Sequence, residues 1–139
     1  MIADEGGNSI NRQAILVVED EVLIRLALAD SLRTAGYSVI EAENSDDALR
    51  SLHSGHDCDL VITDVNMPGP VDGIGLAKCA KRLFAGLPVI ITSGHLAREA
   101  SHSADAFLPK PYSDTALIET VFDLIGPPSR DRSQTLSAS

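Results

Sequence analysis

The chain has 139 residues, 44% of them hydrophobic and 22% charged, enough to bury one core without disulfides or a structural metal and too few for a second full domain. Its formal net charge of −9 argues against direct binding of nucleic acid or anionic membrane surfaces, which are held mainly by clustered Lys and Arg. Cys58 and Cys79 lack metal-ligand spacing and suit buried thiols in a reducing cytoplasm, and no stretch reads as a signal peptide or membrane span, so a soluble cytoplasmic protein is expected.

Residues 1–13 and 127–139 are polar, with Gly, Pro and Ser, and are expected to be disordered tails around one domain at 14–126. Within it, five short β-branched runs, at 15–18, 39–42, 60–63, 89–92 and 106–108, read as strands buried on both faces. After the first, Ile24, Leu28, Leu32 and Ala35 recur at helical spacing, and Gly36 stands where a left-handed cap is expected. A second stripe of Ala48, Leu49 and Leu52 is entered through Asn44 or Ser45 as N-cap.

Leu76, Ala77, Ala80, Leu83 and Phe84 form a third stripe, with Lys78, Lys81 and Arg82 turned to water. A short or irregular fourth helix is expected over 95–102, and the final helix buries Leu117, Val121, Ile125 and Phe122. Strict alternation of strand and helix predicts a flavodoxin-like, doubly wound α/β domain: a five-stranded parallel sheet, order 2-1-3-4-5, with helices on both faces.

In such a sheet the ligand site lies beyond the carboxyl ends of the strands. Those positions carry Glu19, Asp20 and Glu21 after the first strand, Asp64 after the third, Ser93 after the fourth and Lys110 after the fifth. Three or more carboxylates in one cleft repel one another unless a cation sits among them, and an all-oxygen set favours a hard ion such as Mg²⁺. With Lys110 to meet an anion and Ser93 to hydrogen-bond it, the constellation suits phosphoryl transfer to Asp64 through an aspartyl phosphate.

Taken singly, each of these residues has an ordinary explanation. Acids open many helices because they complement the helix dipole, and Glu21 is read as no more than that. Asp64 and Ser93 also suit turns, Lys110 a solvated loop, and Phe107 a packed strand residue. The joint placement at the strand ends favours the functional reading. His53, His56, His95 and His102 have no ligand pattern and are expected on the surface.

The motifs LVVEDE (16–21), TDVNMPG (63–69), ITSG (91–94) and LPKPY (108–112), in this order and at these strand ends, resemble the receiver domains of two-component response regulators, including the chemotaxis-type single-domain receivers. The resemblance spans essentially all of 14–126. It implies Asp64 as phosphoacceptor, Glu19 and Asp20 holding Mg²⁺ directly or through water, and the backbone carbonyl of Asn66 completing the coordination. It further implies that the Asn66 position influences phosphoryl lifetime, that Ser93 and Phe107 switch together, and that the Lys110–Pro111 peptide is cis. A histidine kinase or phosphotransfer protein would be the donor, an unidentified protein the downstream partner, and a homodimer is one outcome of phosphorylation.

The loop MPGPVDG is one residue longer than the usual pattern, which affects where the third helix starts near Asp72, and the stretch from Ser93 to Lys110 is several residues shorter. With no output module after Gly126, a stand-alone receiver signalling by protein contact is the simplest expectation, beside a piece of a longer protein. A haloacid-dehalogenase-type phosphohydrolase would want a second acid where Asn66 stands. A flavodoxin-type FMN carrier would find Glu-Asp-Glu repelling its phosphate, and GxxxxGK[ST] and GxGxxG loops are absent. A degenerate receiver that only docks is the remaining alternative; otherwise the chain catalyses nothing beyond its own phosphorylation and dephosphorylation.

Overall fold

The computed structural model of the chain describes residues 11–94 and 104–130. In chain order the elements are β1 (Asn11–Arg12), β2 (Ala14–Val18), α1 (Val22–Thr34), β3 (Ser38–Ala42), α2 (Ser45–His53), β4 (Leu60–Asp64), α3 (Gly73–Leu83), β5 (Val89–Ser93), β6 (Ala106–Pro109), α4 (Asp114–Ile125) and β7 (Ser129–Arg130). The five longer strands form one parallel sheet in the order β3-β2-β4-β5-β6, which is the expected 2-1-3-4-5 once β1 is set aside. The helix expected over 95–102 lies outside the described residues.

Because successive strand residues point to opposite faces, each strand feeds two cores. Leu16, Val18, Val61, Val89 and Ile91 face α2 and α3, where they meet Ala48, Leu52, Leu76, Ala77 and Ala80. Ile15, Val17, Leu60, Ile62 and Ile90 face α1 and α4 and meet Leu28, Leu32, Leu117 and Val121. Each fully buried Leu, Ile or Val contributes roughly 1.5–3 kcal/mol relative to exposure. The central strands β2, β4 and β5 are buried throughout, whereas β3 and β6 are only partly buried. The expectation of five strands covered on both faces therefore holds for the middle three, because an edge strand has a neighbour on one side only.

Local chemistry fixes the helix ends. α1 closes in a Schellman motif: Gly36 at φ 107° donates to Arg33 O at 2.9 Å and Tyr37 donates to Leu32 O at 3.1 Å. Asn44 Oδ1 caps α2 by accepting from Asp47 N, Asp72 Oδ1 caps α3 by accepting from Gly75 N, and Ser113 Oγ caps α4 by accepting from Ala116 N. The lengthened loop thus delivers α3 with Asp72 as its cap.

Several expectations are corrected. Phe122 is 53% exposed, because it lies roughly 100° around α4 from the buried Val121. Leu83 is 49% exposed, since α3 ends there and Phe84 packs against the core instead. Lys81 is half-buried, its Nζ 2.6 Å from Asp105 Oδ2 and 3.3 Å from Leu87 O, so it ties α3 to the start of β6 rather than facing water. Cys58 and Cys79, expected buried, are half-buried and free of disulfides.

Parts of the expected tails also take up structure. Asn11–Arg12 pairs antiparallel with Ser129–Arg130. Gln13 N donates to Pro128 O at 2.8 Å, Gln13 Nε2 to Ile125 O, and Tyr37 Oη to Gly126 O at 2.7 Å. These bonds clasp the end of α4 to the entry of β2, at the end of the sheet away from the strands' carboxyl termini.

Candidate functional site

Three of the expected residues meet at the carboxyl ends of neighbouring strands. Asp64 is the last residue of β4 and 9% exposed, Glu19 follows β2 and is 2% exposed, and Lys110 follows β6. Lys110 Nζ lies 2.6 Å from Asp64 Oδ2 and 3.5 Å from Glu19 Oε1. The other Asp64 oxygen accepts from Asn66 N at 3.0 Å, and Glu19 Oε2 accepts from Glu21 N at 3.1 Å.

Backbone bonds lock this frame. Glu19 N donates to Ala42 O, Val65 N to Thr92 O, and Lys110 N to Ser93 O. Ser93 ends β5 and is 1% exposed, and Thr63 Oγ1 donates to Asp64 O at 3.0 Å. Phe107 pairs in register with Ile91 and packs half-buried on the core facing α2 and α3. The Lys110–Pro111 peptide is cis, as the resemblance implies.

The electrostatics follow from two acids sharing one base. Burial raises the Glu19 carboxyl above its ordinary range; the Glu21 amide and Lys110 pull it down, and the Asp64 charge pushes it up again. Burial alone would lower the Lys110 ammonium, but the hydrogen bond and charge of Asp64, joined by Glu19, outweigh it and raise its pKa. Tyr112, beside the site, is also raised by burial.

Asp20 is exposed at the rim, Glu21 serves as the N-cap residue of α1 without a side-chain cap bond, and the Asn66 side chain is exposed. Of the expected carboxylates, Glu19 and Asp64 are buried together, and Asp20, next in the chain, is exposed beside Glu19. Among the described residues no group of three or more His, Cys, Asp or Glu is gathered to hold a metal by side chains alone. Two buried carboxylates with one lysine still leave an all-oxygen, net negative pocket. That donor set fits a hard cation such as Mg²⁺, which keeps several of its waters and needs only one or two carboxylates.

Composition and periodicity gave no notice of Gly73, whose ideal Cβ position lies 2.0 Å from the backbone oxygen of Asp64. The available signal was a glycine at the first position of a helix, where it is a poor helix former.

A sequence model of the response regulator receiver domain matches residues 15–122. The chain belongs to that family. Sensor histidine kinase RcsC of Salmonella typhi is 37% identical over 123 residues, covering 85% of this chain and 13% of that protein. The DNA-binding transcriptional regulator NtrC of Salmonella typhimurium is 35% identical over 108 residues, covering 74% of this chain and 23% of that protein. The receiver thus spans a small fraction of these longer relatives. Among solved structures, a receiver protein from Sinorhizobium medicae superposes with a TM-score of 0.77 at 30% identity, covering 83% of this chain and 95% of that one. Response regulator TrrA from Thermotoga maritima, solved in complex with Mg²⁺-BeF, gives 0.74 at 33% identity, covering 81% and 98%.

Proposed function

We propose that this receiver takes a phosphoryl group onto Asp64 from a histidine kinase or phosphotransfer protein, with Mg²⁺ as cofactor, and signals by contact with a further protein. The observation that carries the reading is Lys110 Nζ held 2.6 Å from Asp64 Oδ2 with Glu19 alongside, at the carboxyl ends of parallel strands. The family match and the Mg²⁺-BeF complex of TrrA support it.

In the transfer, an Asp64 carboxylate oxygen bonds to phosphorus as the P–N bond to the donor imidazole breaks; the freed nitrogen keeps the bonding pair and takes up a proton. Lys110 turns its charge from Asp64 to the phosphoryl oxygens, and Ser93 and Phe107 are assigned the accompanying switch. Glu19, Asp20, Asp64 and the Asn66 carbonyl would hold Mg²⁺, which when bound neutralises charge on the transferred oxygens. The chain catalyses only its own phosphorylation and dephosphorylation.

The donor is assigned to the outer face of α1, where Val22 (54% exposed), Leu23 (81%) and Leu26 (48%) form an apolar strip beside Asp20. A cytoplasmic setting is proposed because Cys58 and Cys79 are both free thiols and kinase donors draw on ATP.

Intact mass after incubation with acetyl phosphate and Mg²⁺, quenched quickly, tests the reading. One phosphoryl adduct in the parent and none in Asp64→Asn is expected. No adduct in the parent, from acetyl phosphate or from a kinase, would leave only a docking module.

A further inference from the structure

We infer that Gly73 is a positioning residue for phosphoryl transfer: the first turn of α3 is closed onto the Asp64 peptide, and only a residue without a side chain permits that closure. The inference rests on Asp64 being the phosphoacceptor.

A Cβ on Gly73 would lie 2.0 Å from Asp64 O, 2.8 Å from Asp64 C and 2.9 Å from Val65 Cα. All three atoms are backbone, so no side chain can swing aside to make room. The same contact is fastened by a hydrogen bond, Gly73 N to Val65 O at 2.9 Å. Glycine has a cost at this position, where it opens a helix without contributing to its propensity. The close approach supplies the reason for it.

A second residue holds the closure from outside. Ser45, the first residue of α2 and 3% exposed, donates its hydroxyl to Val71 O at 2.8 Å. Asp72 then caps α3, and Gly73 meets Asp64. The loop that follows the acceptor, one residue longer than the usual pattern, is therefore pinned at its far end by α2. Between the pins lies Asn66, whose N–H holds Asp64 Oδ1.

The expected size of the effect follows from the distance. Real Cβ atoms essentially never approach other heavy atoms within 3.0 Å, so an alanine would part α3 from the Asp64 peptide by roughly 1 Å. A misplacement of about that size at a reacting group costs on the order of 100-fold in rate.

The test compares initial rates of acetyl phosphate labelling at saturating Mg²⁺ in the parent, Gly73→Ala, Ser45→Ala and Gly55→Ala. Gly55 has a positive φ, 88°, which Gly73 does not, and an added Cβ there meets nothing within 4 Å, so its alanine variant strains the backbone far from Asp64. The expected result is a fall of about 100-fold for Gly73→Ala and about tenfold for Ser45→Ala, with Gly55→Ala at the parental rate despite a lower Tm. Should Gly73→Ala fail to fold, Ser45→Ala decides, since it adds no atoms. Parental labelling rates in folded Gly73→Ala, or in Ser45→Ala when that variant must decide, would overturn the inference and leave the assignment of Asp64 intact. A parent that takes no label at all would overturn both.

Discussion

Lys110 reaches its two carboxylates unequally, with Nζ 2.6 Å from Asp64 Oδ2 and 3.5 Å from Glu19 Oε1. The shorter contact puts the positive charge on the group proposed to receive phosphorus, and the longer one leaves Glu19 underpaired in a buried place. Lys110→Ala should therefore remove most of the labelling by acetyl phosphate. It should also cost on the order of 1–2 kcal/mol of stability, because a carboxylate loses its charged hydrogen-bond donor. Denaturant melts beside intact-mass rates check both; a labelling rate equal to the parent's would remove Lys110 from the chemistry.

The underpaired Glu19 makes the next expectation. Its pKa is raised above the ordinary 4.5, burial being the largest cause. Such a group contributes stability that is fully present below 4.5 and lost as pH rises through the folded value, so at pH 7 the buried charge is a strain. Glu19→Gln should melt higher than the parent at pH 7 without metal, with the difference shrinking toward pH 4.

A divalent ion should relieve the same strain in the parent. At a hundredfold excess over its dissociation constant, Mg²⁺ bound only to the folded state adds about 2.7 kcal/mol. Glu19→Gln and Asp20→Asn should each lose most of that gain. An unchanged parental Tm at saturating Mg²⁺ would count against the proposed ligands.

Tyr37 gives an alkaline signature. It is 3% exposed, donates its hydroxyl to Gly126 O at 2.7 Å, and is raised by burial above its ordinary pKa of 10.0. Its contribution is fully present below about pH 10 and is lost as pH rises toward the folded value. Tyr37→Phe should cost on the order of 1 kcal/mol at pH 8, with the gap to the parent closing above pH 10 in urea titrations.

Leu23, 81% exposed on α1, separates donor docking from chemistry. Leu23→Asp should lower the ratio of kinase-driven to acetyl-phosphate-driven labelling at least tenfold. An unchanged ratio would move the docking face elsewhere.

The sheet order and the meeting of Glu19, Asp64 and Lys110 were legible because both follow from position. Buried runs with β-branched residues announce strands, and the carboxyl ends of parallel strands must converge. Exposure was less legible. The stripe on α4 has the right period whether or not it is wide enough to include Phe122, and only the packed helix decides. Lys81 looked solvated because its partner, Asp105, is remote in sequence and stands just before another element, β6. The pairing of Asn11–Arg12 with Ser129–Arg130 leaves no trace in periodicity, since two-residue strands are too short to have any. Gly73 was visible as a residue type, but its reason was a contact across the fold.

The clasp between β1 and β7 makes the described chain enter and leave through neighbouring strands, about 5 Å apart. A host protein could therefore carry residues 11–130 as a loop insertion with little strain at the junctions, since close ends are what such grafts require. Because the junction lies at the end of the sheet away from Asp64 and Lys110, the graft would leave the acidic cleft open, and the domain could serve as a sensor cassette for phosphodonors within a fluorescent host.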